Sequence, residues 1–155
     1  LPFFWALLLL RGHDYTQHPH HGGWVLFFVM LLVWCADSGA YFFGRAFGRH
    51  KMMPAVSPKK TLEGLAGGLV LAGAVAIWLT GHAGLDSTLR VVMVIGALLA
   101  VLASVLGDLA ESRFKREAGI KDSGSLLPGH GGVLDRIDSL TAALPVFVLV
   151  YLLFS

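Results

Sequence analysis

Residues 91–107 run for 17 positions without one ionisable side chain. This run constrains the fold most: at about 1.5 Å per helical residue it approaches the thickness of a bilayer's hydrocarbon core, about 30 Å. Three further segments share its character. They are 24–43, broken only by Asp37; 62–80, with Glu63 at its edge; and 139–155. Only 14% of the chain is charged, against about 25% in soluble domains. Residues 1–10 read as the end of a fifth span. The chain opens on Leu1 and lacks the charged n-region and cleavage site of a signal peptide, so it reads as part of a longer protein. The expected fold is all-α: a polytopic transmembrane helix bundle, four complete spans plus the end of a fifth, forming a single membrane domain over residues 1–155.

Charge bias orients that bundle. The segment after Phe43 carries Arg45, Arg49, Lys51, Lys59 and Lys60, and segment 108–138 carries Arg113, Lys115, Arg116, Lys121 and Arg136. The intervening loops hold only Arg11 and Arg90. Positive loops stay in the cytoplasm, so both basic segments are expected there. Gly64, Gly68, Ala72 and Ala76 recur every fourth residue in the second span. Such a stripe lets another helix approach closely, and we assign it to packing. Pro145 removes a backbone donor inside the last span. Cys35, the single cysteine, reads as a small packed hydrophobe, and the histidines of 13–21 match no closed zinc spacing. A net charge of +2 gives no argument for nucleic acid.

The chemistry concentrates in residues 108–138, where six acids and five bases share 31 positions. If the third span continues past Gly107 as helix, Asp108, Glu111, Ser112 and Lys115 fall on one face. Asp135 and Asp138, three apart, enter the last helix on one face. Carboxylates with Lys and Arg suit a divalent cation that carries a phosphate, because magnesium takes hard oxygen ligands and the bases neutralise the remaining charge. Gly129, Gly131 and Gly132 around His130 would let backbone amides come close to an anion. The plainer alternative is a polar loop whose charges pair with one another.

Two other stretches point the same way. Asp37 lies inside a span, where an ionisable group costs about 2.5–3.5 kcal/mol on insertion scales and normally faces a cavity or a partner; the plainer alternative is a residue near the interface that snorkels out. Ser57-Pro58-Lys59-Lys60-Thr61 forms a basic turn leading into a helix. It suits either a phosphate or a topology-setting loop with Thr61 as the N-cap.

The run Ser112-Arg-Phe-Lys115-Arg116-x4-Lys121-Asp122-x5-Pro128-Gly129-His130-Gly131-Gly132-x2-Asp135-Arg136-x-Asp138 resembles the signature of the phosphatidate cytidylyltransferase family. Asp37-Ser38-Gly39-Ala40-Tyr41 and Ser57-Pro58-Lys59-Lys60-Thr61-x-Glu63-Gly64 resemble two further blocks of that family, in the same order. The likeness runs from the first span to the C-terminus and is nearest the bacterial inner-membrane enzymes; the family's N-terminal group of spans has no counterpart here. It implies a catalytic C-terminal part that transfers a cytidylyl group from CTP to phosphatidic acid in phospholipid biosynthesis, giving CDP-diacylglycerol and pyrophosphate. It further implies dependence on Mg2+, a second, monovalent cation such as K+, and an active site at the cytoplasmic face of the bacterial inner membrane; a homodimer stays open as the assembly. Carried over residue by residue, Asp108, Asp135 and Asp138 become metal ligands. Lys115, Arg116, Lys121 and Arg136 become contacts to the triphosphate and the lipid phosphate. Ser57, Lys59 and Lys60 line the same pocket, Asp37 adds a metal or nucleotide contact, and Ser112, His130, Gly131 and Gly132 belong to the substrate site.

Rival readings are a related CTP-dependent enzyme on another lipid acceptor, a transporter, or a structural membrane subunit. The Asp-x-x-Asp-Gly-x-x-Ala-Arg motif of CDP-alcohol phosphotransferases is missing. A transporter would place ionisable groups deep in several spans, whereas only Asp37 does so here.

Overall fold

Each apolar run is a helix, as a backbone without water to bond requires. The computed structural model describes residues 2–12, 20–54, 56–119 and 134–154, with the side chains of 58 and 134–138 outside that description. In chain order the elements are α1 (Pro2–Gly12), α2 (His21–Phe47), β1 (Lys51–Met53), β2 (Ser57–Thr61), α3 (Leu62–His82), α4 (Ser87–Glu117) and α5 (Leu134–Phe154). Three of the four expected spans, α2, α3 and α4, are long and apolar enough to cross a membrane. The helix α1 and the apolar part of α5, Ser139–Phe154, are shorter. Several helices outrun their apolar cores. At 31 residues, α4 is about 46 Å long, and its last ten residues stand past the uncharged run.

The segment between α2 and α3 departs from expectation. In place of a plain turn, β1 and β2 pair antiparallel, with Lys51 opposite Thr61 and Met53 opposite Ser57 and an irregularity between. Val56 N–H donates to the Met53 carbonyl at 3.1 Å and closes the turn. Pro58 is tolerated because each strand of a two-stranded ribbon has a free edge that needs no donor.

Local chemistry sets the helix ends. Thr61 caps α3, its hydroxyl accepting from Gly64 N–H at 3.1 Å. Asp86 caps α4 through Thr88 and Leu89 N–H at 3.2 and 3.4 Å. Gly84 (φ 67°) and Gly119 (φ 69°) take the left-handed conformation just beyond α3 and α4, where a Cβ would be strained.

The small-residue stripe packs as expected. Gly64, Gly68, Ala72 and Ala76 are all buried. A Cβ on Gly64 would sit 2.7 Å from the Ala40 carbonyl oxygen, and one on Gly68 2.7 Å from that of Ala36. The α2 and α3 backbones therefore touch. The larger side-chain core lies among α1, α2, α4 and α5, with Leu10, Val29, Leu32, Leu144 and Phe147 almost fully buried.

One hydrogen bond fixes the direction of α5. His21 Nε2, at the start of α2, lies 2.9 Å from the Tyr151 hydroxyl near the end of α5. Asp135 precedes Tyr151 by 16 residues, about 24 Å along a helix axis. The first turn of α5 therefore lies toward the same end of the bundle as the C-terminus of α2, the ribbon and the C-terminus of α4.

Candidate active site

At that polar end a cavity of about 210 Å³ opens between α2, the ribbon, α3 and α4. Asp37, Ala40 and Tyr41 line it from α2, Lys59 and Lys60 from β2, and Val105 from α4. Asp37 is exposed halfway along a membrane-length helix, and the cavity explains how: it faces the pocket, as its insertion penalty anticipated.

Lys60 reaches across this space to form an ion pair with Asp108 Oδ2 of α4, the two side chains 25% and 30% exposed. Ser112, one turn on, donates to Asp108 Oδ1 at a long 3.4 Å. The next turn carries a second pair, Lys115 Nζ to Glu111 Oε1 at 2.7 Å, with the side chains 15% and 19% exposed. That oxygen is buried and, among the described residues, has no hydrogen-bond partner besides its cation. Asp108, Glu111, Ser112 and Lys115 are each half-buried and Leu109 beside them is buried, while Ala110, Arg113, Phe114, Arg116 and Glu117 are exposed. The expected polar face of α4 is thus present and turned inward. The Arg113–Glu117 pair, at 2.9 Å, lies on the outer face and contributes little.

The ribbon is held in place by its own contacts. Glu63, in the first turn of α3, accepts from His50 N–H at 3.1 and 3.2 Å and meets His50 Nδ1 at 2.6 Å. Leu62 N–H donates to the His50 carbonyl at 2.9 Å. Thr61, buried under the ribbon, fills the space beside Gly44, Gly48 and Gly64. Sequence reasoning gave Glu63 no role. The signal was present, since Glu63 is the only acid between Asp37 and Asp86, in a stretch holding five Lys and Arg.

The structure therefore joins three segments singled out in the sequence. Asp37, Lys59 and Lys60 share the cavity, and Lys60 links them to Asp108 and Ser112. Ser57 is half-buried on β2 without lining the cavity, and Arg116 is exposed at the end of α4. Lys121, His130, Gly131 and Gly132 lie outside the described residues. Asp135, Arg136 and Asp138 stand on the first two turns of α5 by their backbone alone. Among the described residues no three His, Cys, Asp or Glu side chains converge as a metal site. The donors at the polar face are nonetheless carboxylate and hydroxyl oxygens, from Asp37, Asp108, Glu111 and Ser112, a set that fits a hard cation such as magnesium.

The cytidylyltransferase family matches residues 1–154. The phosphatidate cytidylyltransferase of Haemophilus influenzae is 51% identical over 154 residues, covering 97% of this chain and 54% of the relative. That of Pseudomonas aeruginosa is 51% identical over 147 residues, covering 95% and 52%, and that of Staphylococcus saprophyticus 46% identical over 121, covering 78% and 46%. The chain thus spans about half the length of the curated relatives it matches. An intramembrane enzyme of archaeal membrane-lipid biosynthesis, known from its solved structure, superposes with a TM-score of 0.58 at 23% identity, over 79% of this chain and 75% of its own. That likeness concerns the fold. With the family matched from the first helix to the end of the last, the chain belongs to the cytidylyltransferase family.

Proposed function

We propose that this chain carries the catalytic centre of a phosphatidate cytidylyltransferase, which transfers the cytidylyl group of CTP to phosphatidic acid. A phosphate oxygen of the lipid attacks the α-phosphorus of CTP. The new P–O bond forms as the bond from the α-phosphorus to the bridging oxygen breaks, and pyrophosphate leaves with that electron pair. The observation that carries the reading is the Lys60–Asp108 pair beside a cavity lined by Asp37 and Lys59. It brings cations for phosphate and carboxylates for a cation to one place. Such displacements ask a protein chiefly for positioning and charge neutralisation.

In this reading Lys59, Lys60 and Lys115 neutralise phosphate charge, joined by Arg116, Lys121 and Arg136. Ser57, Ser112, His130, Gly131 and Gly132 complete the substrate site. Asp108, Asp135 and Asp138 would hold Mg2+, with K+ as a second, monovalent ion. When bound, the magnesium ion supplies charge neutralisation at the phosphates and steadies the leaving group. The start of α5 lies toward the cavity end, which supports Asp135 and Asp138 joining Asp108. Hydropathy supports four spans and the end of a fifth, and the charge bias supports basic segments in the cytoplasm. The likeness to bacterial relatives supports a site at the cytoplasmic boundary of the inner membrane. That position lets a water-soluble triphosphate meet a lipid headgroup.

The test is CTP-dependent pyrophosphate release by the full-length protein in detergent with magnesium, with and without phosphatidic acid, beside Asp135→Asn. Turnover should require the lipid and fall by about a hundredfold or more in the variant. Lipid-independent or absent turnover would refute the reaction, and an unaffected variant would refute the metal site.

A further inference from the structure

The two lysines that line the cavity sit on a short ribbon, and two strands alone are marginal in water. Something must hold β2 at the level where Lys60 meets Asp108. The structure assigns that task to Glu63: we propose that it is a positioning residue, clamping His50 so that the ribbon presents Lys59 and Lys60 to the triphosphate. This rests on the function proposed above for the same cavity.

An acid in the first turn of a helix would ordinarily serve the helix dipole and need no partner. Glu63 does more. Both of its oxygens converge on one residue 13 positions earlier, accepting from the His50 backbone N–H at 3.1 and 3.2 Å, with Nδ1 at 2.6 Å. The His50 carbonyl is taken in turn by Leu62 N–H at 2.9 Å. His50 immediately precedes β1, and Lys51 pairs with Thr61, which follows Lys60. The residue that opens the ribbon is thus fixed from both sides to the helix that follows it. The choice of partner also matters. Glu63 is surrounded in sequence by Arg45, Arg49, Lys51, Lys59 and Lys60, yet its carboxylate is spent on an amide and an imidazole, leaving Lys59 and Lys60 to face the cavity. Glu63 secures the strand through His50 and leaves Lys60 to meet Asp108 across the cavity.

The experiment compares wild type, Glu63→Ala, Glu63→Gln and His50→Ala in the full-length protein in detergent. Two readouts are used: kcat and KM for CTP and for phosphatidic acid, and the rate of tryptic cleavage after Arg49 and Lys51, followed by mass spectrometry without substrate. Glu63→Ala should raise KM for CTP about tenfold while leaving KM for the lipid within about twofold. It should also accelerate cleavage about tenfold, as the freed ribbon opens. Glu63→Gln keeps one acceptor for the His50 amide and should be intermediate. His50→Ala keeps the backbone bonds and should be milder than Glu63→Ala. Unchanged cleavage in Glu63→Ala and Glu63→Gln would overturn the clamp. Faster cleavage with an unchanged KM for CTP would overturn its link to the triphosphate. Should Glu63→Ala fail to fold, Glu63→Gln carries both readouts. A wild type without cytidylyltransferase turnover refutes the underlying function and, with it, the triphosphate role; the cleavage rates still decide the clamp.

Discussion

Two helix seams in this bundle are built on opposite principles. Along α2–α3 the backbones themselves meet: a methyl group on Gly68 would press to 2.7 Å against the Ala36 carbonyl oxygen. Along α4–α5 the contact is made by large side chains. Phe147 is fully buried and packs over Gly96, where a Cβ would find its nearest neighbours at an ordinary 3.4 Å. Packing through side chains can absorb small changes of volume by rotamer shifts, whereas a carbonyl cannot move without moving its helix. The stiff seam is the one that carries the cavity. It sets the level of Asp37 on α2 against Lys59, Lys60 and Thr61 at the head of α3, so helix spacing becomes the spacing of charges.

If stiffness along α2–α3 exists to place those charges, removing one should have the largest effect. Lys60→Met should lower kcat/KM for CTP about a hundredfold, with thermal unfolding in detergent almost unchanged because the pair is part-exposed. Full activity in that variant would separate the seam from the chemistry. The next effect sharpens the contrast directly, with one substitution made on each seam. Gly68→Ala should destabilise the protein by about 1–3 kcal/mol through overpacking. Gly96→Ala, free of any clash, should gain about 0.5–1 kcal/mol from helix propensity. Equal unfolding midpoints for the two would erase the distinction between the seams. The smallest effect lies farthest from the cavity. Tyr151→Phe removes the 2.9 Å contact to His21 and should lower stability by about 1 kcal/mol while turnover stays at the wild-type level; a large loss of turnover would mean that the α5 end of the bundle governs the site.

Much of this was legible beforehand. Hydropathy located the helices, because a lipid-embedded backbone has to bond within its own segment. The four-residue recurrence of Gly64, Gly68, Ala72 and Ala76 announced a close helix contact, and the i, i+3, i+4, i+7 spacing of Asp108, Glu111, Ser112 and Lys115 announced one polar face. Thr61 was legible as an N-cap. The ribbon was not. Strands of three and five residues containing a proline give no alternating pattern long enough to read.

The sequence by itself determined the helical class, the small-residue stripe of α3, the charge bias and the motif that ties the chain to its family. These depend on local spacing and on transfer of side chains into lipid, both written residue by residue. Only the tertiary structure decided that Lys60 pairs with Asp108, 48 positions away, that Asp37 opens into their cavity, and that Glu63 holds His50. Those pairings depend on how far helices slide and turn against one another. That is set by the sum of weak contacts along whole seams, which no single spacing encodes.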